Sequence, residues 1–448
     1  MAEPRVVIVG AGGAAHALTG LLRALGNDAQ VDIFTDRPYA GYVVCEQPYF
    51  LRGRVGFDDM FYARKGWYEK VGARIHYETP VQAVDRERKV VETSAGEFPY
   101  DVLVLNTGAE PAAPPIPGLD GVREYHLTSD VRRCLSFAEA VDGARRAVVI
   151  GAGAIGLEVA EGLVERGFER VTVVEGEGHV LPRALDPDLA EGLEQRIRNR
   201  GVDLRTGVRV RSVRTEGPDK VLELPDGEIR ADFVLLATGV RPRVDLARAA
   251  GLEIGPTGGI AVDPFLRTRD PSVYAVGDCM ETWERVTGHR RPVLPMLASH
   301  TNRSGRLVAR NIHHGPRFEY PGTCLPFGIE LFGVTVATCG LTGALAERWG
   351  LDTVAVRSRG VLAKPQLGGE RVEIKVRALR TNGRIVGVQA VGGPGTARMI
   401  DRAVLAVGEG VPPHRLSLYE TVYSPTLNVA YDAFTQAVDR LLVEGGWS

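Results

Sequence analysis

Two strings in the sequence have the residue types and spacing to hold a nucleotide. Gly10-Ala11-Gly12-Gly13-Ala14-Ala15 follows the β-branched run Val6-Val7-Ile8-Val9. Gly151-Ala152-Gly153-Ala154-Ile155-Gly156 follows Ala147-Val148-Val149-Ile150. Each then opens onto an apolar helical pattern, through Leu18, Leu21 and Leu22 in the first and Leu157, Val159, Ala160 and Leu163 in the second. In a strand–glycine–helix turn of this kind the first glycine permits the tight turn. The second lets a pyrophosphate approach the backbone, and the helix start offers unpaired N–H groups at the positive end of its dipole. Gly10, Gly12 and Ala15 are candidate contacts to one dinucleotide, and Gly151, Gly153 and Gly156 to a second. The run after the later turn ends at Glu175, close to the roughly 20-residue spacing at which an acid meets a ribose 2′-hydroxyl. A carboxylate there accepts from a hydroxyl and repels a 2′-phosphate, which favours NADH over NADPH. Two dinucleotide units in one chain call for two dinucleotides, and FAD with a nicotinamide cofactor is the natural pair, because the flavin takes hydride and passes electrons onward.

Three further strings narrow the reading. Val102-Leu103-Val104-Leu105-Asn106-Thr107-Gly108 and Phe233-Val234-Leu235-Leu236-Ala237-Thr238-Gly239 are strands ending in a Thr-Gly turn, and Val273-Tyr274-Ala275-Val276-Gly277-Asp278 is a third strand with a polar end. With these in order behind two glycine turns, nearly the whole chain resembles the pyridine nucleotide–disulfide oxidoreductase superfamily. The resemblance implies that Thr107, Gly108 and Gly239 belong to linker motifs at the cofactors and that Asp278 binds the FAD ribityl chain. The superfamily's acid on the FAD ribose would fall at Thr35, and Asp36 beside it is the nearest carboxylate.

Cys45 sets the subgroup. In Tyr42-Val43-Val44-Cys45-Glu46-Gln47-Pro48-Tyr49-Phe50, the partner cysteine of the two-cysteine enzymes would stand at Phe50. A single thiol cycles through a mixed disulfide, a persulfide or a sulfenic acid. The string resembles coenzyme A–disulfide reductases and the related persulfide reductases and NADH oxidases. The resemblance implies that Cys45 is the redox cysteine, that Glu158 lies near nicotinamide and flavin, and that the enzyme is a homodimer. It also implies that Tyr423, in Tyr423-Ser424-Pro425-Thr426, reaches the active site of the partner subunit and protonates a leaving thiolate. The expected activity is NADH-dependent reduction of a low-molecular-weight disulfide or persulfide. NADH oxidation by oxygen, a flavin reductase for a small electron-transfer protein and a redox sensor are the alternatives.

Several positions depart from those relatives. Gly13 stands where the oxidase and peroxidase branch has a histidine, with His16 further along the helix expected to pack. Val44 replaces a polar residue, Gly41 a serine, Pro365 or Gln366 a second tyrosine, and Ala24 one arginine of a basic pair, leaving Arg23. No rhodanese-like extension is expected beyond Ser448. These changes leave the thiol open: coenzyme A, a polysulfide or a pathway-specific adduct.

The elements that must position these residues are those of an α/β protein with two Rossmann-like dinucleotide-binding domains and a C-terminal α+β dimerisation domain. The expected division is 1–118 and 246–325 for FAD, 119–245 for NAD and 326–448 for the dimer. The last part carries strand runs near 335–337 and 371–376, a hairpin signal at Thr381-Asn382-Gly383-Arg384, and helical patterns near 399–407 and 430–442. Composition agrees: 448 residues suit several domains, and 54 glycines are well above an average share of about 7%. With 54 basic against 56 acidic residues there is no field for nucleic acid or an anionic membrane. No apolar run approaches the roughly 18 residues of a membrane span, and Met1-Ala2-Glu3-Pro4 does not read as a signal peptide. Cys134, Cys279, Cys324 and Cys339 match no redox position and are expected in the core. With no Cys-x-x-Cys and no zinc-spaced His/Cys cluster, no metal site and a reducing cytoplasm are expected.

Overall fold

The computed structural model describes residues 4–63, 66–121, 124–127 and 130–447. The expectations at Met1 to Glu3 and at Ser448 lie outside them.

The run after Pro4 forms the central strand of a five-stranded parallel sheet. Its strands lie in the order Val273–Ala275, Val102–Leu105, Arg5–Val9, Gln30–Phe34, Ala73–His76. Continuous apolar runs suit such strands because both faces are covered. Helix Gly13–Ala24 lies on one face beside Ala298–His314. Small residues set that approach: a side chain at Gly305 would collide with the Ala14 carbonyl. The same plan recurs in a second parallel sheet, ordered Val202–Arg205, Arg170–Val174, Arg146–Ile150, Phe233–Leu236, Glu124–Tyr125. In each unit a three-stranded antiparallel sheet, 81–99 or 212–231, is inserted before the strand that ends in Thr-Gly.

The first sheet is closed by two chain passages on either side of the second. Val104 and Leu105 pair with Tyr274 and Ala275, and one apolar core draws on residues 6–105 and 244–320. The connections cross as a two-stranded ribbon, Ala109–Pro111 against Val240–Pro242. Two threonines pin it: Thr107 Oγ1 donates to Arg243 O (2.6 Å) and Thr238 Oγ1 to Ala112 O (2.6 Å).

The third body is a five-stranded antiparallel sheet, ordered Phe327–Leu331, Val334–Gly340, Ile385–Gly392, Arg371–Leu379, Thr353–Val361. The hairpin signal sits between its third and fourth strands, with Gly383 at φ +71°. Helices Thr396–Gly408 and Ala433–Gly445 pack on it. The last helix starts at Ala433 rather than 430, because the Asp432 carboxylate caps it by accepting from Thr435 N (2.9 Å). Among the described residues no helix is long and apolar enough to cross a membrane.

Candidate active site

Both glycine turns have the backbone their spacing predicts. Gly10 and Gly151 sit at φ +104° and +106°, and a Cβ on either would strike the carbonyl oxygen of Asn106 or Ala237 on the neighbouring strand. Gly12 and Gly153 occupy the cap positions of 12-residue helices with no side-chain cap and no acid in the first turn. The first N–H groups of both helices are therefore free for phosphate oxygens. Gly156 is required by packing, since its Cβ would collide with Gly151 O. Ala15 is fully buried, at the third position of the first turn. These cradles fit two dinucleotides.

The acid positions differ between the two units. The Glu175 carboxylate is bonded on both oxygens, from Ala152 N (2.7 Å) and Glu177 N (2.8 Å), so it is fixed beside the second glycine turn. At the corresponding place in the first unit, Thr35 is buried and its hydroxyl accepts from Arg37 N (3.2 Å). Asp36 is half-exposed, with Arg37 at 3.3 Å and Arg243 at 4.0 Å. Asn106 is a contributor the sequence reading passed over. Its amide donates to Gly10 O (3.0 Å) and lies against Gly12 and Gly277, welding the Thr-Gly strand to the glycine turn. Asp278 follows Gly277 (φ +71°) and accepts from Thr301 Oγ1 (3.1 Å) on helix Ala298–His314. Burial in the cleft pushes its carboxyl above the usual range. Gly108 and Gly239 also have positive φ, at the ends of the crossing ribbon.

Cys45 lies in the one-turn helix Val44–Glu46, followed by helix Gln47–Leu51. The segment before it is tied to the first glycine turn by Gly41 N→Ala11 O (3.1 Å) and to the one-turn helix Asp58–Met60 by Val43 N→Met60 O (2.8 Å). Gly41 (φ +73°) abuts Ala63, which leaves no room for a side chain there. Of the five cysteines Cys45 is exposed and the other four are buried. Its thiol opens onto the cleft, yet the surrounding protein raises its pKa, through burial first and then the carboxylates of Glu158, Asp278 and Glu46.

Glu158 comes from the helix of the second glycine turn, Ala154–Glu165. Burial raises its pKa to about 7, against the opposing pull of the Arg52 guanidinium and the Tyr49 hydroxyl. Arg52 fixes this contact. It makes a bidentate bond to Glu165 (2.7 Å and 2.7 Å) and a third to Glu161 (3.2 Å), with its side chain 4% exposed. Glu161 also accepts from Phe332 N (2.8 Å) in the C-terminal sheet. The network locks the cysteine turn, the second dinucleotide helix and the third body together. Tyr49 and Arg52 had no assigned role in the sequence; Arg52 lacked any spacing signal, because its partners lie over 100 residues away.

The family departures have structural counterparts. A Cβ at Gly13 would lie 3.3 Å from the Tyr62 hydroxyl. His16 packs between Tyr62 and Trp67, with ring centroids at 4.7 and 4.0 Å, and burial lowers its pKa. Arg23 donates to three backbone carbonyls, of Asn27, Val71 and Gly72 (2.6–2.8 Å). Tyr423 is half-exposed on the segment between the last two helices, and no described interaction joins it to Cys45 within one chain. Its neighbour Pro425 accepts from Lys364 N (3.1 Å), which places the loop of Pro365 and Gln366 alongside.

Known proteins match this arrangement over its whole length. An NADH oxidase of Methanocaldococcus jannaschii is 33% identical over 451 residues, 98% of each chain. A NAD(P)H coenzyme A polysulfide/persulfide reductase of Pyrococcus horikoshii is 30% identical over 441 residues, 96% of each. The solved structure of a NAD-dependent persulfide reductase from A. fulgidus superposes with a TM-score of 0.93 at 31% identity, covering 99% of this chain and 84% of that one. The family model for pyridine nucleotide-disulphide oxidoreductases matches residues 4–305. Two glycine cradles, a single open cysteine between them and this match together place the chain in the pyridine nucleotide-disulphide oxidoreductase family.

Proposed function

We propose that the chain is a FAD-dependent NADH:disulfide or persulfide oxidoreductase working in the reducing cytoplasm as a homodimer. The observation that carries this reading is the setting of Cys45, an open thiol beside Glu158 and Asp278 with every other cysteine buried. The second sulfur of its disulfide therefore comes from the substrate. On this reading residues 1–118 and 246–325 hold FAD, through Gly10, Gly12, Ala15, Asp36, Thr107, Gly108 and Asp278. Residues 119–245 hold NADH through Gly151, Gly153, Gly156, Glu175 and Gly239, and 326–448 form the dimer.

When bound, the two cofactors supply the electron pair that returns oxidised Cys45 to its thiolate. The chain's own part is the sulfur chemistry. The Cys45 thiolate attacks a substrate sulfur, a Cys45–substrate disulfide forms, and one thiolate leaves. Tyr423 of the partner subunit gives that thiolate its proton, a task suited to a phenolic O–H donor. Reduction of the mixed disulfide then releases the second thiol. Glu158, poised near neutrality, holds a proton beside Cys45 and sets the thiolate fraction. The relatives named for coenzyme A polysulfide and persulfide reduction support the sulfur acceptor. The occupied Arg23 leaves coenzyme A itself without that anchor.

Cys45→Ser is expected to abolish NADH-dependent disulfide and polysulfide reduction while FAD stays bound. Turnover at the wild-type rate by this variant would refute the mechanism. The M. jannaschii relative favours one second reading, NADH oxidation by oxygen. Oxygen uptake compared with turnover on a disulfide panel decides between them. With Gly13 and the Tyr62 hydroxyl where an oxidase histidine would stand, the disulfide panel is expected to be faster.

A further inference from the structure

The acids of the cysteine segment carry no counter-charge. Glu46 follows Cys45 directly and acts on its thiol. Asp58 and Asp59 stand in the one-turn helix Asp58–Met60, and the Asp59 carboxylate acts on Glu46. Among the described residues none of these acids has an ion-pair partner, although Asp59 accepts from Gly56 N (2.9 Å). Glu46 Oε2 is buried and meets no hydrogen-bond donor. A carboxylate oxygen so placed is neither solvated nor neutralised, which costs free energy until a donor arrives.

The cations around the cleft are spent or distant. Arg37, Arg52 and Arg54 are the only basic residues between 36 and 63. Arg37 pairs with Asp130 (2.7 Å), Arg52 with Glu165 (2.7 Å) and Arg54 with Glu165 (3.2 Å). Helix Ala154–Glu165 has no basic residue. Arg23 lies in the last turn of helix Gly13–Ala24, on backbone carbonyls. On helix Ala298–His314, Arg303 turns to Gly322 O (3.1 Å) and the Tyr320 ring. Arg306 is open to solvent there, but it lies more than one helical turn past Thr301, whose hydroxyl meets Asp278.

We propose that the substrate is a disulfide bearing an ammonium group, and that Glu46 is the residue that selects it. The inference rests on reading Cys45 as the thiol that attacks the substrate. The site is the Cys45 cleft; the acids decide which disulfide enters it. An ammonium on a short arm gives the Glu46 carboxylate both a positive charge and a hydrogen-bond donor. It also places a cation beside the thiolate that must form on Cys45, against the effect of Glu46, Glu158 and Asp278. Anionic disulfides meet repulsion from the same groups. The exchange itself is ordinary. A bond forms between Cys45 and one substrate sulfur, the substrate S–S bond breaks, and the other half leaves as a thiolate that takes its proton from Tyr423 of the partner subunit. The ammonium is unchanged throughout, and the electron pair from NADH later splits the mixed disulfide.

The test offers the FAD-loaded enzyme three disulfides of similar size with NADH: cystamine, a dication; hydroxyethyl disulfide, which is neutral; and dithiodipropionate, a dianion. Each kcat/KM is divided by that disulfide's rate with dithiothreitol in solution, which removes differences in leaving-thiol acidity. Cystamine is expected to rank first and dithiodipropionate last. In Glu46→Gln the ratio of cystamine to hydroxyethyl disulfide is expected to fall about tenfold, the size of one charge-assisted contact. The ratio cancels any change in the thiol, because both disulfides meet the same Cys45. An unchanged flavin spectrum checks the fold. Asp59→Asn, which keeps an acceptor for Gly56 N, should lower the ratio less, and high salt should lower it in the wild type. Equal normalised rates for all three disulfides overturn the proposal and leave the disulfide reading in place. So does a ratio unmoved in Glu46→Gln, the result if the partner subunit lends Glu46 a cation. Wild-type enzyme that reduces none of the three overturns the disulfide reading as well.

Discussion

At the residue scale the centre is a thiol surrounded by acids. Most reactive cysteines are activated by nearby cations, but the charges acting on Cys45 are Glu158, Asp278 and Glu46, and each raises its pKa. Glu158 is the adjustable member, because it titrates near 7. Above that pH it is a carboxylate and disfavours the Cys45 thiolate; as the uncharged amide it would not. Glu158→Gln is therefore expected to move the pH midpoint of Cys45 alkylation by iodoacetamide downward, read by mass spectrometry on thiol-reduced protein. The four buried cysteines keep the label specific. A midpoint that stays put or rises would remove Glu158 from the cysteine's environment. The residue also illustrates the limit of sequence reading. Its place on a helix was legible, but its proximity to Tyr49 and Arg52 was not, because those come from a helix more than 100 positions earlier.

At the element scale the second dinucleotide unit is bolted to the C-terminal sheet by one buried carboxylate. Asp186 precedes helix Pro187–Asn199 and receives Gly343 N (2.6 Å), Arg377 Nη2 (2.7 Å) and Lys375 Nζ (2.8 Å), while its own N–H donates to Gln389 (2.7 Å). Burial alone would raise its pKa, but Lys375, the Gly343 amide and Gln389 overcome this and lower it from 3.8 to about 2. An acid whose pKa falls on folding stabilises the native state above its unfolded pKa. That contribution is lost as pH drops from about 4 towards 2. Asp186→Ala leaves Arg377 without its carboxylate and Lys375 with Asp188 alone (2.8 Å), and is expected to cost about 3–5 kcal/mol at neutral pH. It should also flatten the acid limb of the stability curve, as measured by urea unfolding between pH 2 and 7. An unchanged midpoint would mean that the clamp contributes nothing.

At the scale of the whole molecule the single chain is left with an uncovered apolar strip. Leu418, Val422 and Leu427 are 81%, 82% and 72% exposed on the segment that carries Tyr423, and Tyr419 and Tyr431 flank them. Exposure of this kind, contiguous along one segment, marks a surface that associates. On the proposed reading a second copy of the chain covers it, an arrangement that would also bring Tyr423 to Cys45. Replacing Leu418 and Val422 together by Asp is expected to convert the dimer to monomer in analytical ultracentrifugation. It should also abolish disulfide turnover with FAD content unchanged. A monomeric variant with full turnover would show that Tyr423 has no role across the interface.

The sequence by itself determined the two glycine-turn units, the one cysteine set apart from the core and the order of the motifs. These are local features: a strand, a glycine that must adopt positive φ and a helix start follow one another within a dozen residues, and backbone sterics enforce them wherever they occur. Even the departures were legible, since Gly13 and Gly41 lack a side chain in any fold. Only the tertiary structure decided what surrounds Cys45. The return of the chain at 273–275 to the first sheet brings Asp278 under the cleft, and the Arg52 network brings Glu158 beside the thiol. Asn106 acquired its role in the same way, from a residue 96 positions distant. Hydrogen bonds and charges act through space, and no spacing along the chain encodes which distant side chains will share a cleft.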